Sequence, residues 1–429
     1  MLRTAVNTVL VVAVLIGASF ASADETCQSP FLPKLFGQED YVYVWTLGIE
    51  GLGDGSDKLV TLGVNPNRPD YGEVVASHSV GGRHEAHHGG FTDDRRHLWL
   101  GGLDTSLIWI FDVATDPAKP RLVRMIEDFV AATGGTVGPH SFYALPGRMM
   151  ITGLSNSEDF GGRTALVEYS NEGEYLRTIP MPAGAEYGYD LRVNANLNRM
   201  LTSSFTGHAN YMRSLSDLMG DAAAMENFGN TMVVWDYHAR KPLQSFEVPG
   251  APLEIRWALQ PQHDYAFTAT ALTARLIGIF RKEDGTFETV DLGPIGDPAK
   301  LPLPVDMSLS ADDRFLFVDT FLDGKVRVFD VSDPRAPKQV YERKIGAQVN
   351  MVSQSWDGER LYFTSSLLAN WDGTVGEDPQ FLKAYSWDGR ELAPLFEVDF
   401  RAEGLGRPHI MRFGQRAPAA VGATAGAGR

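Results

Sequence analysis

Three of the chain's ten histidines and a carboxylate fall within five residues, His84-Glu85-Ala86-His87-His88, and Gly89-Gly90-Phe91 follows directly. Imidazole is the commonest side-chain ligand for transition metals, and adjacent glycines let an ion and its substrate approach the backbone. The stretch is therefore a candidate metal site, with a hydrated loop of surface histidines as the plain alternative. Other donors recur singly down the chain: His140 after Pro139, Asp190 after Tyr189, Glu254 after Leu253, Asp306 after Val305, Asn350 after Val349 and His409 after Pro408. Taken one at a time, an Asp or Glu is most often a cap or turn anchor, and a histidine a satisfied surface or core group. Their spacing suggests more.

Each donor precedes, by roughly ten residues, a short apolar or aromatic run that follows a polar turn. The runs are Tyr41-Val42-Tyr43-Val44-Trp45, His97-Leu98-Trp99-Leu100, Met149-Met150-Ile151-Thr152, Met200-Leu201-Thr202, Tyr265-Ala266-Phe267-Thr268, Phe315-Leu316-Phe317-Val318 and Leu361-Tyr362-Phe363-Thr364. A repeat of roughly fifty residues is that of propeller blades. Several runs lead to a further strand, such as Leu107 to Val113, Val233 to Asp236 and Val326 to Val331. Two of the turns that follow match each other directly: Ala114-Thr115-Asp116-Pro117-Ala118-Lys119-Pro120-Arg121 and Ser332-Asp333-Pro334-Arg335-Ala336-Pro337-Lys338. The fold class expected is all-β, a seven-bladed β-propeller over residues 24–415.

In a propeller the first strand of every blade lines the central channel. Those strands should contain His87 to Phe91, Pro139 to Tyr143, Gly188 to Arg192, Pro252 to Arg256, Pro304 to Ser308, Val349 to Val352 and Arg407 to Met411. Equivalent positions would then share one ring around the axis. That ring holds His87 or His88, His140, Asp190, Glu254, Asp306, Asn350 and His409. His87 and His88 should point to opposite faces unless the strand is bulged. So many buried charges would call for a cation to neutralise them. Imidazole-rich ligation suits copper, zinc, iron or nickel, and carboxylate ligation would admit manganese. Carboxylates not used as ligands become proton acceptors or orienting groups; Asp190, Glu254 and Asp306 are the candidate catalytic residues. His78, His97, His208, His238 and His263 fall at non-equivalent places and are assigned to the surface.

The formal net charge of −16 argues against nucleic acid and anionic lipid as partners, and favours a small, weakly polar substrate. Met1-Leu2-Arg3, the apolar run Val9 to Ile16 and Ala21-Ser22-Ala23 read as a secretory signal over residues 1–23, so the mature chain is expected to be exported. No later run reaches membrane length. Cys27 is the single cysteine, so no internal disulfide is available; it could pair between subunits, bind a metal or sit idle. The sequence permits a homo-oligomer without specifying one. Residues 206–230 interrupt one repeat, and their Tyr211, Met212, Leu215, Leu218, Met219 and Met225 allow an amphipathic helix. It would act as a lid with Phe205 and Trp371 as walls, or simply pack on the edge. Gly51 to Gly55 is a turn rather than a nucleotide loop. Residues 416–429, small and without apolar periodicity, are expected to be disordered.

Several strings along the chain together resemble the selenium-binding protein family: His87-His88-Gly89, Gly188-Tyr189-Asp190, Pro252 to Arg256, Asp312 to Leu316, the Asp330 to Lys338 turn, Ser365-Ser366-Leu367 with Trp371-Asp372, and the late His409. The chain is most similar to that family's exported bacterial members. The resemblance implies a periplasmic copper enzyme that converts methanethiol, dioxygen and water to formaldehyde, hydrogen sulfide and hydrogen peroxide. It also implies that His87, His88, His140 and His409 are the metal ligands. Animal members carry a selenium-associated cysteine where this chain has Gly72, so selenium binding there is not expected. A thiol substrate suits copper, supplying the soft ligand that the ring lacks. A zinc or calcium hydrolase of lactones or esters, and a metal-binding or delivery protein, are the competing classes.

Overall fold

The computed structural model describes residues 29–35 and 37–414. The expected signal segment, Cys27 and the tail at 416–429 lie outside them. Seven antiparallel sheets of four strands each follow one another along the chain, confirming the seven-bladed β-propeller. The runs picked out in the sequence are the second strands of their blades, for example His97–Gly102, Tyr265–Thr270 and Phe315–Thr320. The two matching Asp-Pro turns join the third and fourth strands of blades two and six. Asp112 Oδ1 accepts from Ala114 N and Asp330 Oδ1 from Ser332 N, both at 3.0 Å, so the repetition extends to the hydrogen bonds.

Burial grades outward. First and second strands such as Pro304–Leu309 and Phe315–Thr320 are buried along their whole length, whereas the fourth strand Lys338–Lys344 is largely exposed and strongly charged. An exposed edge strand rich in Lys and Glu discourages pairing with other chains. Closure comes from the chain's two ends: Arg407–Phe413 serves as first strand of the blade begun by Tyr41–Leu47, pairing with it in an antiparallel register. A ring shut in this way has no free inner edge. Each first strand contacts the first strand of the next blade all the way round.

The insertion lies between the second and third strands of blade four, as expected, but not as one helix. It forms three short helices, His208–Tyr211, Leu215–Met219 and Ala222–Met225. Ser214 accepts from Asp217 N and Asp221 from Ala223 N and Ala224 N; these caps restart the helix twice where the apolar spacing alone suggested continuity. Among the described residues, no helix is long and apolar enough to cross a membrane.

Candidate metal centre

The five first strands that carry His87 and His88, His140, Glu254, Asp306 and His409 are all irregular at the same level. Their registers shift between Ala86 and Gly89, between Pro139 and Phe142, between Pro252 and Ile255, between Pro304 and Asp306, and opposite Val44 and Thr46 beside His409. A bulge puts an extra residue on one strand and re-aims side chains. In blade two it resolves the alternation problem, because both His87 and His88 turn inward, with only 3 % and 6 % of their surface exposed. His140 and His409 are wholly buried.

The four imidazoles meet on the axis. Ring centroids are 3.9 Å apart for His87 and His409, 4.0 Å for His88 and His140, and 4.8 Å for His87 and His88. Donor atoms of His87, His88 and His140 all lie within 4.8 Å of one another. Two ligands each roughly 2.0–2.1 Å from one ion lie up to about 4.2 Å apart, so donors spread over 4.8 Å would draw together slightly to share one. His84, from the same sequence stretch, is not part of the cluster; its Nε2 meets Gly81 O at 2.6 Å.

The protonation states suit ligation. Burial holds His140 at about 4, against the partial opposition of Glu254 and the Tyr189 carbonyl. Burial together with His140 holds His409 at about 3, and burial plus the neighbouring rings take His87 and His88 well below the usual range. All four are neutral near pH 7, so an ion need displace no proton from them. His140 Nδ1 donates to Tyr189 O at 3.0 Å, which leaves Nε2 as the ring's lone-pair nitrogen. That Nε2, together with Nε2 of His409 and Nδ1 of His87, is buried without any hydrogen-bond partner. Three orphaned imidazole nitrogens in one buried cluster, with the donors of His87, His88 and His140 mutually close and the His409 ring against that of His87, fit a nitrogen-ligated transition metal.

The carboxylates form a separate cluster. Asp190 Oδ1 accepts from Leu191 N and Ser141 Oγ and pairs with Arg192, while Oδ2 accepts from Ile255 N of the next blade at 2.9 Å. Asp306 repeats the arrangement, taking Met307 N, Arg256 Nη2 at 2.6 Å and, from the next blade, Val352 N at 3.0 Å. Both therefore latch neighbouring blades. Glu254 Oε2 accepts from Arg192 Nη2 at 3.0 Å and Arg256 Nη1 at 2.9 Å, leaving Oε1 buried and unpartnered. Burial pushes all three carboxyls upward; for Asp190 and Asp306 it prevails, whereas Arg256 and Arg192 outweigh it at Glu254 and hold that group ionised. Asp319, whose Oδ1 accepts from Asp306 N, joins them, its acidity suppressed by burial and by Asp306. The cations that face these carboxylates are thus two guanidinium groups.

Sequence reasoning passed over Arg192, Arg256, Asp319 and Tyr189, although period-two alternation puts Arg192 on the face of Asp190 and Arg256 on that of Glu254. Asn350, the weakest match in the ring, supports a ligand: its Nδ2 lies 3.2 Å from His409 Nδ1 and donates to Ser366 O at 2.6 Å. Of the histidines assigned to the surface, His238 is exposed and His78, His97, His208 and His263 are half-buried away from the axis.

His87 opens on an apolar chamber walled by Leu103, Leu154, Tyr189, Phe205, Tyr211 and Trp371, with the insertion helices across it. It leaves about 30 Å³ for the centre of a water-sized molecule. Roughly 10–15 Å³ suffices for one water, so the space suits a very small guest. The insertion is tied down from several blades: His208 Nε2 meets Asp104 at 2.9 Å, Asn370 Nδ2 donates to Met212 O at 2.8 Å, and Trp371 Nε1 donates to Arg213 O at 3.0 Å.

With this geometry in view, the similarity to known proteins is informative. Residues 21–416 match the family described as 56kDa selenium binding protein (SBP56). The chain is similar to a methanethiol oxidase of Ruegeria pomeroyi, 56% identical over 411 residues, covering 92% of this chain and 94% of that one. A methanethiol oxidase of a Hyphomicrobium species is 54% identical over 402 residues, covering 93% and 92%. Among solved structures, a hypothetical selenium-binding protein from Sulfolobus tokodaii superposes with a TM-score of 0.80 at 23% identity, over 90% of this chain and 97% of that one, and so shares the fold. The chain belongs to the 56 kDa selenium-binding protein family.

Proposed function

We propose that this protein is a periplasmic, copper-dependent methanethiol oxidase, producing formaldehyde, hydrogen sulfide and hydrogen peroxide from methanethiol, dioxygen and water. One observation carries the chemistry: four buried imidazoles cluster, each of His87, His140 and His409 with a nitrogen left unpartnered, and His87 opens on an apolar chamber of very small volume. The names of the two relatives above 50% identity support the substrate. His87, His88, His140 and His409 would hold the ion. Copper there supplies one-electron redox chemistry and acidifies a thiol that reaches it.

The remaining groups have roles of their own. Tyr189, through its carbonyl, sets the tautomer of His140, and Asn350 steadies His409. Of the candidate catalytic carboxylates, Glu254 retains an unpartnered oxygen and is our choice as proton acceptor; Asp190 and Asp306, saturated by arginine and backbone donors, keep the blades in register around it. Phe205 and Trp371 exclude water and larger thiols. The helical insertion serves as the lid.

The test is anaerobic and aerobic incubation of purified protein with methanethiol, following oxygen uptake, formaldehyde and sulfide. Oxygen-dependent release of formaldehyde and sulfide is expected. Metal retention without turnover would favour a carrier, and lactone or ester hydrolysis without oxygen uptake a hydrolase; either result overturns the oxidase assignment.

A further inference from the structure

The chamber wall carries two tyrosines, Tyr189 and Tyr211, and the hydroxyl of the second is sealed in without a partner among the described residues. Tyr211, on the first insertion helix, is wholly buried, and its Oη has no hydrogen-bond partner among the described residues. Trp371, on the same cavity, spends its indole N–H on the Arg213 carbonyl. The seat of the Tyr211 hydroxyl is specific. Gly138 faces it in the left-handed region at φ 68°, and a Cβ at that glycine would come within 2.6 Å of Oη, 3.5 Å of Leu154 and 3.6 Å of Leu103. Leu103 and Leu154 both line the chamber, and Gly138 lies two residues before His140 on the same first strand. The hydroxyl therefore reaches from the insertion down to the histidine-bearing strand, where only glycine leaves it room.

A buried, unpaired hydroxyl is costly, and phenylalanine would fill the same volume without that cost. Such a group is explained by a partner that comes and goes. Burial, and then the nearby carboxylates Asp104 and Glu85, suppress ionisation of the phenol, so it keeps the proton with which to donate.

We propose that the Tyr211 hydroxyl is the chamber's hydrogen-bond donor to the sulfur of a bound small thiol, positioning that sulfur beside the histidine cluster. This rests on the thiol-oxidase assignment above and adds the residue that recognises the substrate. It also gives the insertion a purpose beyond covering the site: the element that closes the chamber brings the recognising group with it.

The experiment is Tyr211→Phe in the full-length protein, with methanethiol as the probe. Anaerobic calorimetric titration gives Kd, aerobic kinetics give KM and kcat, and metal content and Tm are measured on the same preparations. Loss of one hydrogen bond to sulfur predicts Kd and KM raised about tenfold. Metal content should be unchanged, kcat/KM should fall in step with affinity, and Tm should be unchanged or higher, because an unsatisfied polar group has been removed. Wild-type affinity in Tyr211→Phe would overturn the proposal, as would a fall in affinity accompanied by a fall in Tm, the mark of lost packing. A wild-type protein that binds no methanethiol would overturn the substrate assignment as well, whereas equal binding by both proteins overturns only the role of Tyr211.

Discussion

The axial ring is divided. Blades one to three contribute imidazoles, His409, His87 with His88, and His140; blades four to six contribute Asp190, Glu254 and Asp306, and the Asn350 amide of blade seven stands between. Both halves are buried, and both occupy equivalent positions in a repeated fold. They differ in how their polar atoms are satisfied. The carboxylate half meets Arg192, Arg256 and backbone N–H groups of neighbouring blades, so its charge is balanced within the protein, with Glu254 Oε1 the one oxygen of Asp190, Glu254 and Asp306 left unpartnered. The imidazole half leaves a nitrogen unpartnered on each of His87, His140 and His409. Equivalent places in a repeat can therefore diverge, one half closed by arginine and backbone donors and the other left with open imidazole nitrogens.

Substitutions should separate the two halves cleanly. In the imidazole half, His140→Ala or His409→Ala should lower thiol oxidation by at least about 100-fold together with bound metal, while the circular dichroism spectrum stays that of the wild type. A folded variant with full metal and activity would place the ion elsewhere. In the carboxylate half the damage should be to stability. Arg256→Leu takes the guanidinium from Asp306 and leaves Glu254 with Arg192 alone, and should cost about 3–5 kcal/mol in denaturant unfolding; a near-neutral result would mean the Asp306 carboxyl is protonated and needs no partner.

A smaller effect lies at the seam. Asn350→Leu removes the amide beside His409 Nδ1 and should weaken metal affinity by roughly 10–100-fold with little change in unfolding free energy. Competition with a chelator measures this, and unchanged affinity would make Asn350 a packing residue. A further expectation concerns pH. With His140 at about 4 and His409 at about 3, against 6.5 ordinarily, protons bind the unfolded chain first as pH falls. Metal-free protein should thus lose stability from about pH 6.5 down towards 4 and show no contribution from these groups above 6.5. His140→Ala should flatten that limb; an identical slope in denaturant unfolding at pH 7, 6 and 5 would contradict the assignment.

Much of this was legible from spacing. A donor set roughly ten residues ahead of each apolar run located the first strands, because repetition converts sequence position into angular position around the axis. Alternation also marked the difficulty at His87 and His88 and named a bulge as the way round it, but whether the bulge forms depends on how the strand pairs with its neighbour. The neutralising cations were harder to see. Arg192 and Arg256, two residues beyond Asp190 and Glu254, carry a signal in their spacing, but the expectation of a metal ion made arginine partners easy to overlook. Tyr211 gave no signal beyond an apolar stripe, because its significance lies in a missing partner and in the space left by Gly138, both properties of the assembled fold. The caps at Ser214 and Asp221 could have been anticipated from their residue types.

The central claim is that four buried imidazoles hold one redox-active ion. Metal analysis of protein recovered from its export compartment, paired with electron paramagnetic resonance, tests it most directly. The account predicts one copper per chain in a nitrogen-ligated site, absent from a His140→Ala, His409→Ala double variant that remains folded. Wild-type protein without copper, or a folded double variant that keeps the same signal, would contradict it.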